Sequence, residues 1–120
     1  MPDCDIKLID THCHLDFEEL RPRLPQIISD ARDNCVCAMV TISTNLNKID
    51  KIKEISENFK NVFFSVGVHP NEAHRDKKYI DFEYMKKKSL EKKCVAIGEG
   101  GLDYFYNKDN VVFQKKSFIC

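Results

Sequence analysis

The stretch Ile9-Asp10-Thr11-His12-Cys13-His14-Leu15 closes a short apolar run that starts at Ile6 and ends in two histidines separated by one residue. The run Ile6 to Asp10 is too short for a stable helix and reads as a buried strand. In a strand, residues two apart point to the same face. His12 and His14 therefore project side by side, about 6–7 Å apart at the backbone. Two neutral imidazoles at that spacing grip one metal ion. Far downstream another apolar run ends in Gly98-Glu99-Gly100-Gly101-Leu102-Asp103-Tyr104 and places a carboxylate, Glu99, where a second strand runs out.

Working outward, the same kind of run recurs at Cys37 to Ser43, Val62 to Val68 and Cys94 to Gly98. None alternates cleanly between apolar and polar, which is the pattern of parallel strands covered on both faces. The intervening segments follow a helical period. Leu24, Ile27, Ile28 and Ala31 mark the first helix, with Pro22 and Pro25 near its start. Ile49, Ile52, Ile55 and Phe59 mark the second, and Ile80 to Leu90 the third. A fourth begins near Asn110 and carries Val111, Phe113, Phe118 and Ile119. The order β-α-β-α-β-α-β-α predicts an α/β fold with a parallel sheet and crossover helices. Each unit has the ~30 residues such a repeat requires. At 120 residues the chain is one domain, 1–120.

The chemically capable residues share one address. His12 and His14 follow the first strand, Thr41, Ser43 and Thr44 close the second, His69 and Pro70 follow the third, and Glu99 and Asp103 follow the fourth. All fall at carboxyl ends of strands, the face where α/β sheets and barrels build sites. Three of these signals have a plainer reading beside the functional one. His69 before Pro70 is either a substrate contact or a turn residue. Glu99 among three glycines is either a ligand or the cap of a tight bend. Asp103-Tyr104-Phe105-Tyr106 is either a turn with packed aromatics or a surface that stacks on a base. His74, in a polar loop, reads as structural.

Composition narrows the classes. With 42% apolar and 32% charged residues the chain is globular rather than disordered. The formal net charge is zero, so no whole-molecule field draws nucleic acid or an acidic membrane towards it. Arg75, Lys77, Lys78, Lys86, Lys87, Lys88, Lys92 and Lys93 form a basic stretch that reads as a solvated helix face, with a phosphate-steering patch as the alternative. No apolar run approaches the ~20 residues of a membrane span, and the acidic N-terminus is no signal peptide. The expectation is a cytoplasmic chain with its six cysteines reduced. Cys35 and Cys37 are too lone a pair for a zinc site.

Three motifs in order, IDTHCHLDF (Ile9 to Phe17), VGVHP (Val66 to Pro70) and AIGEGGLDYF (Ala96 to Phe105), resemble the TatD family of metal-dependent deoxyribonucleases among the amidohydrolase-like barrels. The resemblance covers essentially the whole chain. It implies a parallel-stranded TIM-type (β/α)8 barrel, of which this chain holds about four βα units, the N-terminal half. It implies hydrolysis of phosphodiester bonds in DNA with two divalent ions, Mg, Mn or Zn. His12 and His14 would ligate one ion, Glu99 would be the catalytic carboxylate that ligates or bridges the pair, and His69 and Asp103 would lie on the substrate side. DNA is the expected partner, and no protein partner is called for. Two departures stand out. Gly100 occupies a position where the family usually has a larger residue, for which the expectation is a small local effect. The family barrel is also roughly twice as long, with further histidines and an aspartate on later strands. A truncated or frameshifted product is therefore expected, with its own activity in question. Two other functions stay open: an amide or ester hydrolase on the same barrel, and a non-catalytic fragment that binds metal or a partner.

Overall fold

The computed structural model of the protein describes residues 3–106 and 108–120. Four strands, β1 (Leu8–Cys13), β2 (Val36–Thr41), β3 (Val62–Val66) and β4 (Cys94–Ile97), alternate with four helices, α1 (Leu24–Asp33), α2 (Ile49–Asn58), α3 (Phe82–Ser89) and α4 (Val111–Ile119). The strands form one sheet in the order β1-β2-β3-β4, and every neighbouring pair is parallel. The expected alternation and sheet type are what the chain adopts.

The helices start and bury as their sequences dictate. Pro25 sits in the first turn of α1, where a missing N–H costs nothing. Asp81 accepts a hydrogen bond from the Tyr84 N–H at 2.9 Å and so caps α3. The apolar stripe of α2 buries Ile49, Ile52 and Ile55 against β3. Two clusters make the core. Leu46, Ile49, Ile52, Phe64, Val66 and Met85 join α2 and α3 to β3. Leu24, Ile28, Met39, Ile55 and Val62 join α1 and α2 to β2 and β3.

Three expectations need correction. The first strand runs Leu8–Cys13 rather than Ile6 to Asp10, because pairing with β2 begins at Leu8 opposite Val36 and leaves Ile6 in solvent. His12 thus lies inside β1 and His14 just beyond it. Second, the strands are not covered on both faces: even on the inner strands Cys37, Ala38 and Phe63 are only half-buried. Val62, Phe64 and Val66 turn to the helices and are buried, whereas Leu8 and Ile9 on β1 and Val95 and Ile97 on β4 remain exposed. Third, the cysteines are not all reduced. Cys4 and Cys35 form a disulfide across a sequence separation of 31, with Cα atoms 5.9 Å apart, while Cys13, Cys37, Cys94 and Cys120 are free. The β1–β2 ladder brings the pair together, starting with the Leu8 N–H donating to the Cys35 carbonyl at 2.9 Å. The disulfide removes the support that reduced thiols lent to a cytoplasmic reading. No helix among the described residues is long and apolar enough to cross a membrane.

Candidate metal centre

The site begins with an unlikely meeting. His12 is on β1 and Glu99 follows β4, the two outer strands of the sheet. In a flat sheet the first and fourth strands stand about 14 Å apart. Here the His12 Nε2 and Glu99 Oε1 atoms are 3.3 Å apart. The sheet curls so that its two edges face one another across the carboxyl ends of the strands.

His14 completes the group. One donor atom from each of His12, His14 and Glu99 lies within 4.8 Å of the others. The two imidazoles meet edge to face with centroids 5.2 Å apart. His14 is also stacked on Phe17 at 5.0 Å with the rings 9° from parallel, which holds its plane. The Asp10 carboxylate accepts from the backbone N–H of His12 at 3.0 Å. Cys13, between the two histidines, faces the other way. It packs among the α1-side core residues and its thiol donates to the Val40 carbonyl at 3.4 Å. Burial, with Asp10 and Asp16 nearby, pushes the thiol up to about 12.

Whether these residues suit a cation is answered by their unmet hydrogen bonds. Buried polar atoms are nearly always paired. His14 Nδ1 and Glu99 Oε2 are buried and have no hydrogen-bond partner among the described residues. Leaving a buried carboxylate oxygen unpaired costs folding free energy, and a bound cation relieves that cost. Two imidazole nitrogens and a carboxylate are a mixed donor set that suits Mg, Mn or Zn. Three protein ligands leave coordination positions open, as hydrolytic sites require. The residues present fit a divalent ion.

His69 and Asp103 lie outside this three-residue cluster and belong to a second network on the rim. The His69 N–H donates to the Thr44 carbonyl at 2.8 Å, and its Nδ1 accepts from the Asn71 N–H at 3.1 Å, capping the turn Pro70–Glu72. A neutral His69 therefore carries its proton on Nε2. Asp103 Oδ1 accepts from the Phe105 and Tyr106 N–H groups at 2.9 and 3.1 Å. The Tyr106 and Phe105 amides hold its carboxyl below the usual carboxylate range, helped by the Asn71 side chain and by His69. The turn reading of Asp103 to Tyr106 is thus realised, although Phe105 and Tyr106 are exposed rather than packed.

Two residues of this network, read from the sequence only as parts of the fourth helix, were not read as site residues. Gln114 is fully buried and grips the Asp103 backbone twice, accepting from its N–H at 2.7 Å and donating to its carbonyl at 2.8 Å. Asn110 donates to the Pro70 carbonyl at 3.1 Å and lies 3.4 Å from His74 Nδ1, which gives His74 its structural role. The available signal was a pair of amides one helical turn apart at the head of an otherwise apolar helix. Within the lysine-rich stretch Arg75 pairs with Glu72 at 3.1 Å, Lys88 pairs with Asp50 at 2.6 Å, and Lys93 turns inward onto backbone carbonyls.

Comparison with known proteins now has a geometry to attach to. The model of the family described as TatD related DNase matches residues 9–119. An uncharacterized metal-dependent hydrolase of Buchnera aphidicola subsp. Baizongia pistaciae is 33% identical over 114 residues, covering 92% of this chain and 42% of that protein. The uncharacterized metal-dependent hydrolase YcfH of Escherichia coli K12 is 34% identical over 115 residues, covering 93% of this chain and 42% of YcfH. The crystal structure of YJJV, a TatD homologue from the same organism, superposes with a TM-score of 0.76 at 22% identity, covering 93% of this chain and 44% of that one. The chain spans less than half the length of the curated relatives it matches. The four βα units correspond to part of a TIM-type barrel, whose full complement is eight. The chain belongs to the TatD-related family of metal-dependent hydrolases and holds a partial, N-terminal-like share of that fold.

Proposed function

We propose that this chain carries the first metal-binding half of a divalent-metal-dependent phosphodiesterase that acts on DNA. The observation that carries the reading is the convergence of His12, His14 and Glu99 within 4.8 Å, with His14 Nδ1 and Glu99 Oε2 buried and unpaired. The family description, TatD related DNase, supports DNA as the substrate class. The metal-dependent hydrolase names of the relatives support the reaction type.

When bound, a divalent ion neutralises charge on a phosphate oxygen and makes water acidic enough to supply the nucleophile. His12 and His14 would hold an ion, and Glu99 would add a carboxylate oxygen to the same donor set. A second ion needs ligands beyond these three. His69, with its proton on Nε2, is a hydrogen-bond donor for a phosphodiester oxygen. Asp103 acts through the turn it caps and is linked to His69 through Asn71.

Zinc or manganese titration followed by calorimetry tests the site directly. The 120-residue chain should bind the ion, and His12→Ala should weaken binding about 100-fold or more. Undiminished binding in His12→Ala would sink the reading. A matched panel of DNA, ester and amide substrates then separates a nuclease from a hydrolase of another bond. A non-catalytic reading keeps one specific support, the coverage of 42% of the matched relatives. Metal binding without turnover on any substrate favours it.

A further inference from the structure

Glu99 is delivered to the metal cluster by the backbone just before it, and that backbone is gripped from β3. The Gly98 N–H donates to the Val66 carbonyl at 3.0 Å, the last rung of the β3–β4 ladder. The Gly98 carbonyl accepts from the Ser65 hydroxyl at 3.0 Å. Ser65 is 1% exposed, and its oxygen also accepts from the Ser43 N–H at 3.2 Å. Ser43, fully buried, donates its own hydroxyl to the Gly67 carbonyl at 2.8 Å. Two buried hydroxyls thus tie the carboxyl ends of β2, β3 and β4 into one unit. None of these groups touches the candidate ligand atoms.

Gly67 closes the grip by having no side chain. A Cβ built on it would lie 2.3 Å from the Gly98 oxygen, 2.4 Å from the Gly98 carbonyl carbon and 2.8 Å from the Glu99 nitrogen. All three are backbone atoms, so no side chain can swing aside. Ordinary contacts between such atoms exceed 3 Å, so the peptide leading into Glu99 would shift by roughly 1 Å. Metal–ligand distances tolerate about 0.2 Å. Gly100 and Gly101, by contrast, have nothing within 4 Å of a built Cβ.

We propose that Ser65 and Gly67 are positioning residues for the metal centre: the relay from the Ser43 N–H through the Ser65 hydroxyl to the Gly98 carbonyl, and the bare Cα of Gly67, set where the Glu99 carboxylate stands. This rests on the reading of His12, His14 and Glu99 as ligands. Outer partners that orient a ligand are worth about 10–100-fold in metal affinity.

The test titrates Co2+ into the wild-type chain, Ser65→Ala, Gly67→Ala and Gly100→Ala. It reads affinity by calorimetry, visible absorption of the bound ion, and the metal-free melting temperature. Ser65→Ala and Gly67→Ala should each bind about 10-fold more weakly or worse, with an altered absorption spectrum. Gly100→Ala should match the wild type. A change in melting temperature without a change in affinity would reduce the two residues to structural ones and overturn the proposal. Wild-type affinity in a folded Ser65→Ala overturns it as well. If Gly67→Ala fails to fold, Ser65→Ala decides; if neither folds, the relay serves the fold alone and the proposal fails. A wild-type chain that binds no Co2+ strikes the ligand reading itself, a result distinct from all of these.

Discussion

Lys93 and Glu99 flank β4 at its two ends, and the fold treats their charges in opposite ways. Lys93 enters at the amino end. Its ammonium donates to the carbonyls of Ser56, Phe59, Lys60 and Val62 at 2.7, 2.9, 3.0 and 2.8 Å. Those carbonyls belong to the last turn of α2, the segment after it and the first residue of β3, so one cation meets the negative end of a helix and gathers four main-chain acceptors. Glu99 leaves at the carboxyl end. One of its oxygens meets only a histidine nitrogen and the other is buried without a partner. The Lys93 charge is saturated by main-chain carbonyls, while the Glu99 charge is left incomplete, as the proposed ligand role requires.

The comparison breaks most visibly at Lys93. Lys93→Met removes a charged donor from four exposed or half-buried carbonyls and should cost about 2–3 kcal/mol in urea unfolding. Metal affinity should be unchanged in whatever fraction remains folded. A loss below about 0.5 kcal/mol would mean that water replaces the ammonium without penalty. Glu99→Gln should move stability the other way. Without metal, removing a half-buried unpaired charge should stabilise the chain by about 1 kcal/mol, while stabilisation by added metal should disappear. A destabilised, metal-responsive Glu99→Gln would contradict the division between the two ends.

A smaller effect sharpens it through pH. Burial raises the Cys13 thiol to about 12 in the folded chain, against about 8.5 for an unfolded cysteine. The folded state therefore holds that proton more tightly. Its contribution is full below pH ~8.5 and is lost as pH rises towards 12. Tyr84, raised chiefly by burial, acts in the same direction. Unfolding midpoints should fall above pH ~9, and Cys13→Ala should flatten the fall. An unchanged slope in Cys13→Ala would place the thiol nearer solvent, and so nearer to ligand duty.

Much of this was legible in the chain, and the reasons differ from part to part. The four strands were visible because short apolar runs bounded by turns have few alternatives. Bounds were less so: β1 slid from Ile6 to Leu8 because its register is set by pairing with Val36, which no local pattern encodes. The His12–His14 pair could be read from strand periodicity alone. Glu99 as its companion needed two separated motifs to be matched, and the contact itself needed the sheet to curl. Gln114 was invisible as a site residue because a glutamine in an apolar helix announces burial only once its partner, the Asp103 backbone, is in place. The Cys4–Cys35 bridge was missed for the same reason: spacing of 31 residues carries no signal until β1 lies beside β2.

The sequence by itself determined the periodic elements, their parallel arrangement and the delivery of histidines and carboxylates to one end of the strands, because these follow from local geometry with periods of two and 3.6. Tertiary structure alone decided that strands one and four converge. Curvature accumulates over the whole sheet through twist and helix packing. It brings two edge residues within 3.3 Å, leaves a carboxylate oxygen and an imidazole nitrogen buried without partners, and allows only a glycine at position 67 beneath the peptide that carries the acid.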